Sequence, residues 1–446
     1  MPSAAPRYFL DPFGCVKNQV DAENMMAHLN NAGWENVTDA EQADLIIVNS
    51  CGFIESAKQE SINAVLEWRK HYPGKKILLA GCLAQRYEDE LSKELTEADG
   101  FMGVNNLAEI IEKAAETFSM CQIRHTHVSD KTHSKTGERP LLSLPGSAYV
   151  KISEGCSNNC SYCAIPLIRG GLVSRTIPDI VDECRTLLAR GIKELCIIGQ
   201  DIGAYGMEGM KVSKLPELLN AISKQEGDFW VRLLYIHPDH FPLEILDIME
   251  QDLRILPYFD IPFQHASQKI LTAMNRTGLN QNNAAEKYLE LLNVIRSRLP
   301  NAVIRSTLLT GFPGETDEDF AELLDFQQKA KIDWLGCFAY SREEGTAAFP
   351  MKGQVSEKTA ALRKQTIEEK QIPITEKNME RFAGSEQLVL IEEQIDDFWL
   401  GRLYCQAPDI DGATVITGSK VSLQTGSFVK CRILARRGFD LEAQVL

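Results

Sequence analysis

Short apolar runs that alternate with helix-length amphipathic stretches constrain this chain more than any other feature, because strands joined through helices lie parallel in one sheet. From residue 8 to about 118 the runs RYFLDPFGC, ADLIIVNSC and KKILLAGC alternate with patterns such as DAENMMAHLNNAGW, read as a helix that opens at Asp21 and stops near Gly33. They predict a small α/β domain. Further on, AYVKIS, LCIIG, WVRLLYI, YFDIPF, VIRSTLL and WLGCFAY read as strands, with helices such as DIVDECRTLLAR and EDFAELLDFQQKA between them. Six βα units predict a parallel, barrel-like sheet. From about residue 381 five β-rich runs (QLVLIEE, FWLGRLYC, GATVITG, SFVKCRIL, FDLEAQVL) predict a small antiparallel β-barrel. The fold class is α/β with an added β module, and the expected boundaries are 5–120, a linker at 121–141, 142–380 and 381–446. The linker is polar, with Gly and Pro, so His125, His127 and His133 read as solvated residues there and not as metal ligands.

Composition narrows the function. A chain of 446 residues with 44% hydrophobic content fills several cores. The opening MPSAAPR lacks an apolar stretch behind a basic start, and no run approaches the roughly eighteen apolar residues of a membrane span. A cytoplasmic protein with no membrane association is expected. The net charge of -15 argues against direct nucleic-acid binding, which favours a basic face, and suits a basic protein partner. Twelve cysteines, widely spread, read as metal-binding or packed thiols in reducing surroundings.

Cys156, Cys160 and Cys163 stand in SEGCSNNCSYCAIPLIRG, a C-x3-C-x2-C loop just after the first strand of the second domain. Such a loop can wrap three thiolates around a 4Fe-4S cluster, which ordinarily takes four, so one iron stays open for a substrate. A zinc loop is the alternative. With Tyr162 just before the last cysteine, the spacing resembles the signature of the radical S-adenosylmethionine (SAM) superfamily. The resemblance implies that SAM chelates the open iron and that one electron splits its sulfonium to a 5'-deoxyadenosyl radical. It also implies a partial (βα)6 barrel, whose sites sit at the carboxyl ends of strands, where this loop falls.

Cys15, Cys51 and Cys82 each terminate one of the three apolar runs of the first domain, so parallel strands would bring them to one sheet edge. Buried packing is the alternative for each. GCVKNQVDAE, NSCGFIESAKQES and AGCLAQRY resemble the amino-terminal domain of the radical SAM methylthiotransferases, in which three cysteines hold a second 4Fe-4S cluster. The last domain resembles the TRAM module. Together these imply two 4Fe-4S clusters, SAM as cofactor, an electron donor, and consumption of two SAM molecules per product. SEGCSNNCSYCAIPLIRGGLVSR, GQDIGAYG, DIPFQHAS and AYSREEGTAA resemble the branch that methylthiolates an aspartate of ribosomal protein S-twelve. The transfer-RNA branch, the alternative, would carry an acidic residue where Gly171, Leu172 and Val173 stand, and asparagine at Asp201. Val16 and Ala22 depart from the proline and serine usual in the ribosomal branch. A non-catalytic iron-sulfur carrier is the reading from another class, and SAM cleavage separates it.

Gln200 and Asp201 end the second barrel strand and, with Tyr162, are expected beside SAM. GFPGETDEDF lacks the lysine and glycine spacing of a phosphate loop and reads as a strand end followed by a capped helix. His237 and His265 follow strand ends without an assigned role, and Cys121, Cys184, Cys196, Cys337, Cys405 and Cys431 read as packing. Residues 384–446 hold nine acidic against six basic side chains, an acidic lean suited to a basic protein substrate.

Overall fold

A computed structural model describes residues 5–118, 138–276, 283–418 and 422–446. His125, His127, His133 and Cys121 lie outside them, as does most of the expected linker. The chain forms two compact units, the first comprising residues up to Leu142 together with Glu154–Ser157 and Ala164–Gly171, the second the remainder.

In the first unit β1 (Arg7–Pro12), β2 (Glu35–Asn36), β3 (Leu45–Ser50), β4 (Lys76–Gly81) and β5 (Gly100–Met102) form a wholly parallel sheet in the order β2-β1-β3-β4-β5. Both faces are covered, which explains why LIIV runs apolar without alternation. Leu10, Leu45, Ile47 and Leu78 pack under the helices Val16–Asn31 and Ile110–Phe118, whereas Ile46, Val48, Ile77 and Leu79 pack under Glu55–His71 and Cys82–Glu94. The strand order reverses between β1 and β3, the kind of crevice in which open α/β sheets bind ligands. β2 and β5 are too short to show a period in the sequence.

Two expectations need correction here. The first helix begins at Val16, not Asp21, and Asp21 lies inside it with its carboxylate 2.8 Å from Arg169. A capping rule assigned to the helix start an aspartate that is committed to a buried ion pair. The end of the expected linker is anchored rather than solvated: buried Arg139 donates to Glu23 at 2.7 Å and the Leu142 N–H to the same carboxylate at 2.8 Å.

The second unit opens on β6 (Ser147–Lys151); β7 (Ser153–Glu154), whose Glu154 counts with the first unit, and β8 (Val173–Ser174) are short segments that flank the C-x3-C-x2-C loop in the chain. Then come β9 (Glu194–Ile198), β10 (Trp230–Leu233), β11 (Ile255–Asp260), β12 (Val303–Thr310) and β13 (Trp334–Ala339). β6 and β9 to β13 form an open sheet of six parallel strands in sequential order. β14 (Glu386–Ile395), β15 (Phe398–Arg402), β16 (Thr414–Ile416), β17 (Phe428–Arg437) and β18 (Asp440–Val445) close a barrel. The barrel is not wholly antiparallel, because β16 pairs with β18 in parallel. An odd number of strands cannot alternate in direction around a closed ring, so five require at least one parallel pair.

A buried ion network fastens this barrel to the six-stranded sheet. Glu194 on β9 accepts from Arg232 on β10 at 2.7 Å and from Arg402 on β15 at 2.5 Å, and Arg402 also donates to Glu392 at 2.6 Å. Burial opposes ionisation, but two guanidiniums hold the Glu194 carboxyl at about 2, whereas Glu392, with a share of one, is pushed up by burial. Glu194→Gln is expected to destabilise the second unit by about 3–5 kcal/mol at pH 7, because two buried cations lose their shared anion. Since the folded pKa is depressed, this stabilisation is full above the unfolded value and is lost as pH falls from about 4.5 toward 2. Urea titrations of parent and variant should therefore differ most at pH 7 and converge in acid. A difference below about 1 kcal/mol at pH 7 would refute the network's role.

Candidate functional site

The three cysteines of the first unit fall at the carboxyl ends of β1, β3 and β4. Cys15 caps the helix Val16–Asn31, Cys51 follows Ser50, and Cys82 opens its helix directly after Gly81, whose φ of 105° only glycine adopts readily. Their loops approach so closely that side chains are excluded: a Cβ on Gly14 would lie 3.0 Å from the Cys51 Cβ, and one on Gly52 would lie 2.6 Å from the Cys82 carbonyl oxygen. Buried Asn18 ties the loops, its Nδ2 donating to the Phe13 carbonyl at 2.7 Å and the Ser50 carbonyl at 3.2 Å while its Oδ1 faces the Cys82 Sγ at 3.8 Å. Asn49 returns a bond to the Asn18 carbonyl at 2.9 Å, and the Ser61 hydroxyl accepts the Cys51 N–H at 3.0 Å.

Arg169, also in this unit, donates to the Cys82 Sγ at 3.0 Å. Burial pushes the Cys82 thiol up to about 12 although Arg169 opposes it, so ligation there must displace a proton. Among the described residues no three Cys, His, Asp or Glu side chains close around a single-ion position. A cuboidal cluster would ask for thiols from different loops of one sheet edge, because each of its cysteines binds a different iron.

The C-x3-C-x2-C loop is held by backbone and side chain alike. In the first unit the Cys156 N–H donates to the Gly170 carbonyl at 3.1 Å, and Gly155, at φ 69°, passes so near the Gly171 carbonyl that a Cβ would sit 2.2 Å from it. In the second unit the Cys163 N–H donates to the Cys160 carbonyl at 3.0 Å, and Ser161 makes two bonds to the end of the helix Gln268–Ala273, N–H to Met274 and hydroxyl to Ala273. Arg276 donates to the Tyr162 hydroxyl at 3.1 Å and the Pro262 carbonyl at 2.6 Å. It is 3% exposed and, among the described residues, has no carboxylate within ion-pair distance. A buried guanidinium without an anion is costly. Three thiolates holding a cluster in this loop would provide the missing negative charge, so the surroundings of Arg276 fit an anionic group.

Asp201, 3% exposed, is saturated. Its Oδ1 accepts the N–H groups of Gly203 and His237 at 3.0 Å each, and its Oδ2 accepts Asn158 and His240 at 2.9 Å each. The hydrogen bond to Asp201 raises the His240 imidazole's pKa, while burial and Arg276 drive that of His237 well below its usual value. Gln200 is half-buried at the same strand end. His265 is fully buried, 3.7 Å from Glu315. GFPGETDEDF forms the strand end and capped helix expected, with a Thr316–Asp319 capping box opening Asp317–Ala330. Cys184, Cys196, Cys337, Cys405 and Cys431 are buried.

Three family models match: the uncharacterized protein family UPF0004 over residues 7–103, the Radical SAM superfamily over 150–326 and the TRAM domain over 383–446. The chain is 48% identical to the ribosomal protein uS12 methylthiotransferase RimO of Treponema denticola, over 97% of this chain and 99% of that one. The chain belongs to the RimO family. The RimO of Syntrophomonas wolfei is 41% identical over 96% of this chain and 97% of its own. Among solved structures, the radical SAM methyltransferase TsrM from Kitasatospora setae superimposes with a TM-score of 0.55 at 14% identity, covering 77% of each chain. The cobalamin-dependent SAM radical enzyme OxsB gives 0.52 at 11% identity over 82% of this chain and 56% of that one. At such identities these two report the fold alone.

For this RimO-family chain the cysteine positions were legible in the sequence, whereas Asn18, Asn158, Arg169, His240 and Arg276 were missed. Their only local signal is proximity in sequence to a cysteine or to a strand end, which many solvated residues share.

Proposed function

We propose that this chain is a radical SAM methylthiotransferase that modifies the β-carbon of an aspartate of ribosomal protein uS12. The observation that carries the proposal is identity to RimO enzymes over nearly the whole chain, and the chain carries both cysteine sets. In this reading Cys156, Cys160 and Cys163 hold the SAM-binding cluster, and Cys15, Cys51 and Cys82 hold a second, auxiliary 4Fe-4S cluster. When bound, the clusters and SAM supply the radical and sulfur chemistry, and the protein supplies position and shelter. Arg276 orients Tyr162, and Asp201 anchors Asn158 inside the cysteine loop. Tyr162, Gln200 and Asp201 border SAM; since four donors already occupy the Asp201 carboxylate, its share is to brace the loop.

The domain limits 5–120, 142–380 and 381–446, an external electron donor, a cytoplasmic location and the absence of direct nucleic-acid binding complete the proposal. No described helix is long and apolar enough to cross a membrane. The acidic lean of residues 384–446 supports a basic substrate less strongly than the sequence count suggested, because Glu392, Asp411 and Arg402 are interior. The test is to incubate the reconstituted enzyme, SAM and a reductant with either isolated uS12 or unmodified transfer RNA and to weigh the products. A methylthio increment on the uS12 aspartate is expected. An increment on adenosine alone would move the chain to the transfer-RNA branch.

A further inference from the structure

Arg169 ends the short helix Ile165–Arg169 and is buried within the first unit, 6% exposed. Its Nη2 lies 3.0 Å from the Cys82 Sγ and 2.8 Å from Asp21 Oδ2, and its Nη1 donates to Glu154 Oε1 at 2.9 Å. Ala164 and Ile168 of the same segment pack on Cys82. Two carboxylates already more than balance the guanidinium's single charge. What remains for Cys82 is a directed N–H···S bond, and such a donor suits a thiolate or a metal-bound thiolate better than a thiol, which is a weak acceptor.

We infer that Arg169 is a positioning residue of the auxiliary-cluster site: its hydrogen bond fixes Cys82 as a ligand and, by drawing electron density from that sulfur, raises the cluster's reduction potential. The inference rests on the proposal that Cys15, Cys51 and Cys82 hold a cluster. The physical basis is that hydrogen bonds to ligand sulfur are among the determinants of iron-sulfur potentials.

The test is a redox titration of the full-length, anaerobically reconstituted enzyme followed by electron paramagnetic resonance, in which the auxiliary signal is the one that Cys82→Ala removes. In Arg169→Met that signal should need a potential at least about 59 mV more negative, a tenfold change for a one-electron couple. The potential of the Cys156-dependent signal serves as the internal reference for that shift. Arg169→Lys keeps the charge without the planar fork and should shift the signal the same way by less. It also decides the matter if the Met variant, with Asp21 and Glu154 left buried, fails to fold. An auxiliary signal present at the parental potential in the folded variants overturns the inference and leaves the proposed function standing. If Cys82→Ala removes no signal from the parent, the second cluster itself is refuted and the inference falls with it.

Discussion

Replacing Cys156, Cys160 or Cys163 by alanine is expected to abolish reductive SAM cleavage, leaving no 5'-deoxyadenosine above that of iron-free protein. Three thiolates are the minimum that this loop offers a cluster, and a cluster with an open iron has no spare protein ligand to recruit. The loop makes substitution harder still. Ser161, Asn159 and Tyr162 are each bonded to the segment Ala273–Arg276, so the backbone cannot slide to bring another donor into place. If the loop holds an anionic cluster, its loss would also leave buried Arg276 without a nearby negative charge, and a buried, unpaired guanidinium is destabilising by several kcal/mol. These variants should therefore unfold earlier than the parent as well as being inactive. The first unit should retain its own iron. Cleavage at the parental rate by any one of the three, reconstituted without oxygen, would show that the SAM cluster has been assigned to the wrong cysteines.

The second large effect is of the opposite kind. Cys15→Ala, Cys51→Ala and Cys82→Ala should still cleave SAM, yet yield no methylthiolated product, with bound iron falling by about half as one of two similar clusters is lost. The three should also differ in stability. Cys15 is exposed and Cys51 half-buried, so their truncation costs little packing. Cys82 is buried against Ala164 and Ile168 and receives the Arg169 N–H, so its loss leaves a cavity and a buried donor without an acceptor. Product mass, iron content and thermal unfolding measured on the same preparations separate these outcomes. Normal iron with normal product would return the three residues to simple packing.

Several features depended only on local pattern and were readable without coordinates. Parallel sheets buried on both faces require continuous apolar runs such as LIIV, and helical stretches between them exclude hairpins, so the alternation of runs determines the architecture. Cysteines that close such runs must lie at a common sheet edge whichever way the strands are ordered. The C-x3-C-x2-C spacing is a property of one short loop. The capping box at Thr316 is equally local, spanning Thr316 and Asp319.

What surrounds the cysteines was decided only in three dimensions. Arg169 meets Cys82 across 87 residues of chain, Arg276 meets Tyr162 across 114, and Arg402 meets Glu194 across 208. No period or spacing encodes such pairs, because a charged residue bound for the interior looks the same in sequence as one bound for water. That is why Asp21 was read as a helix cap, residues near 139 as solvated linker, and Glu392, Asp411 and Arg402 as surface charge. The parallel β16–β18 pair has the same origin: strand content is local, but the closure of five strands into a ring is a property of the whole barrel.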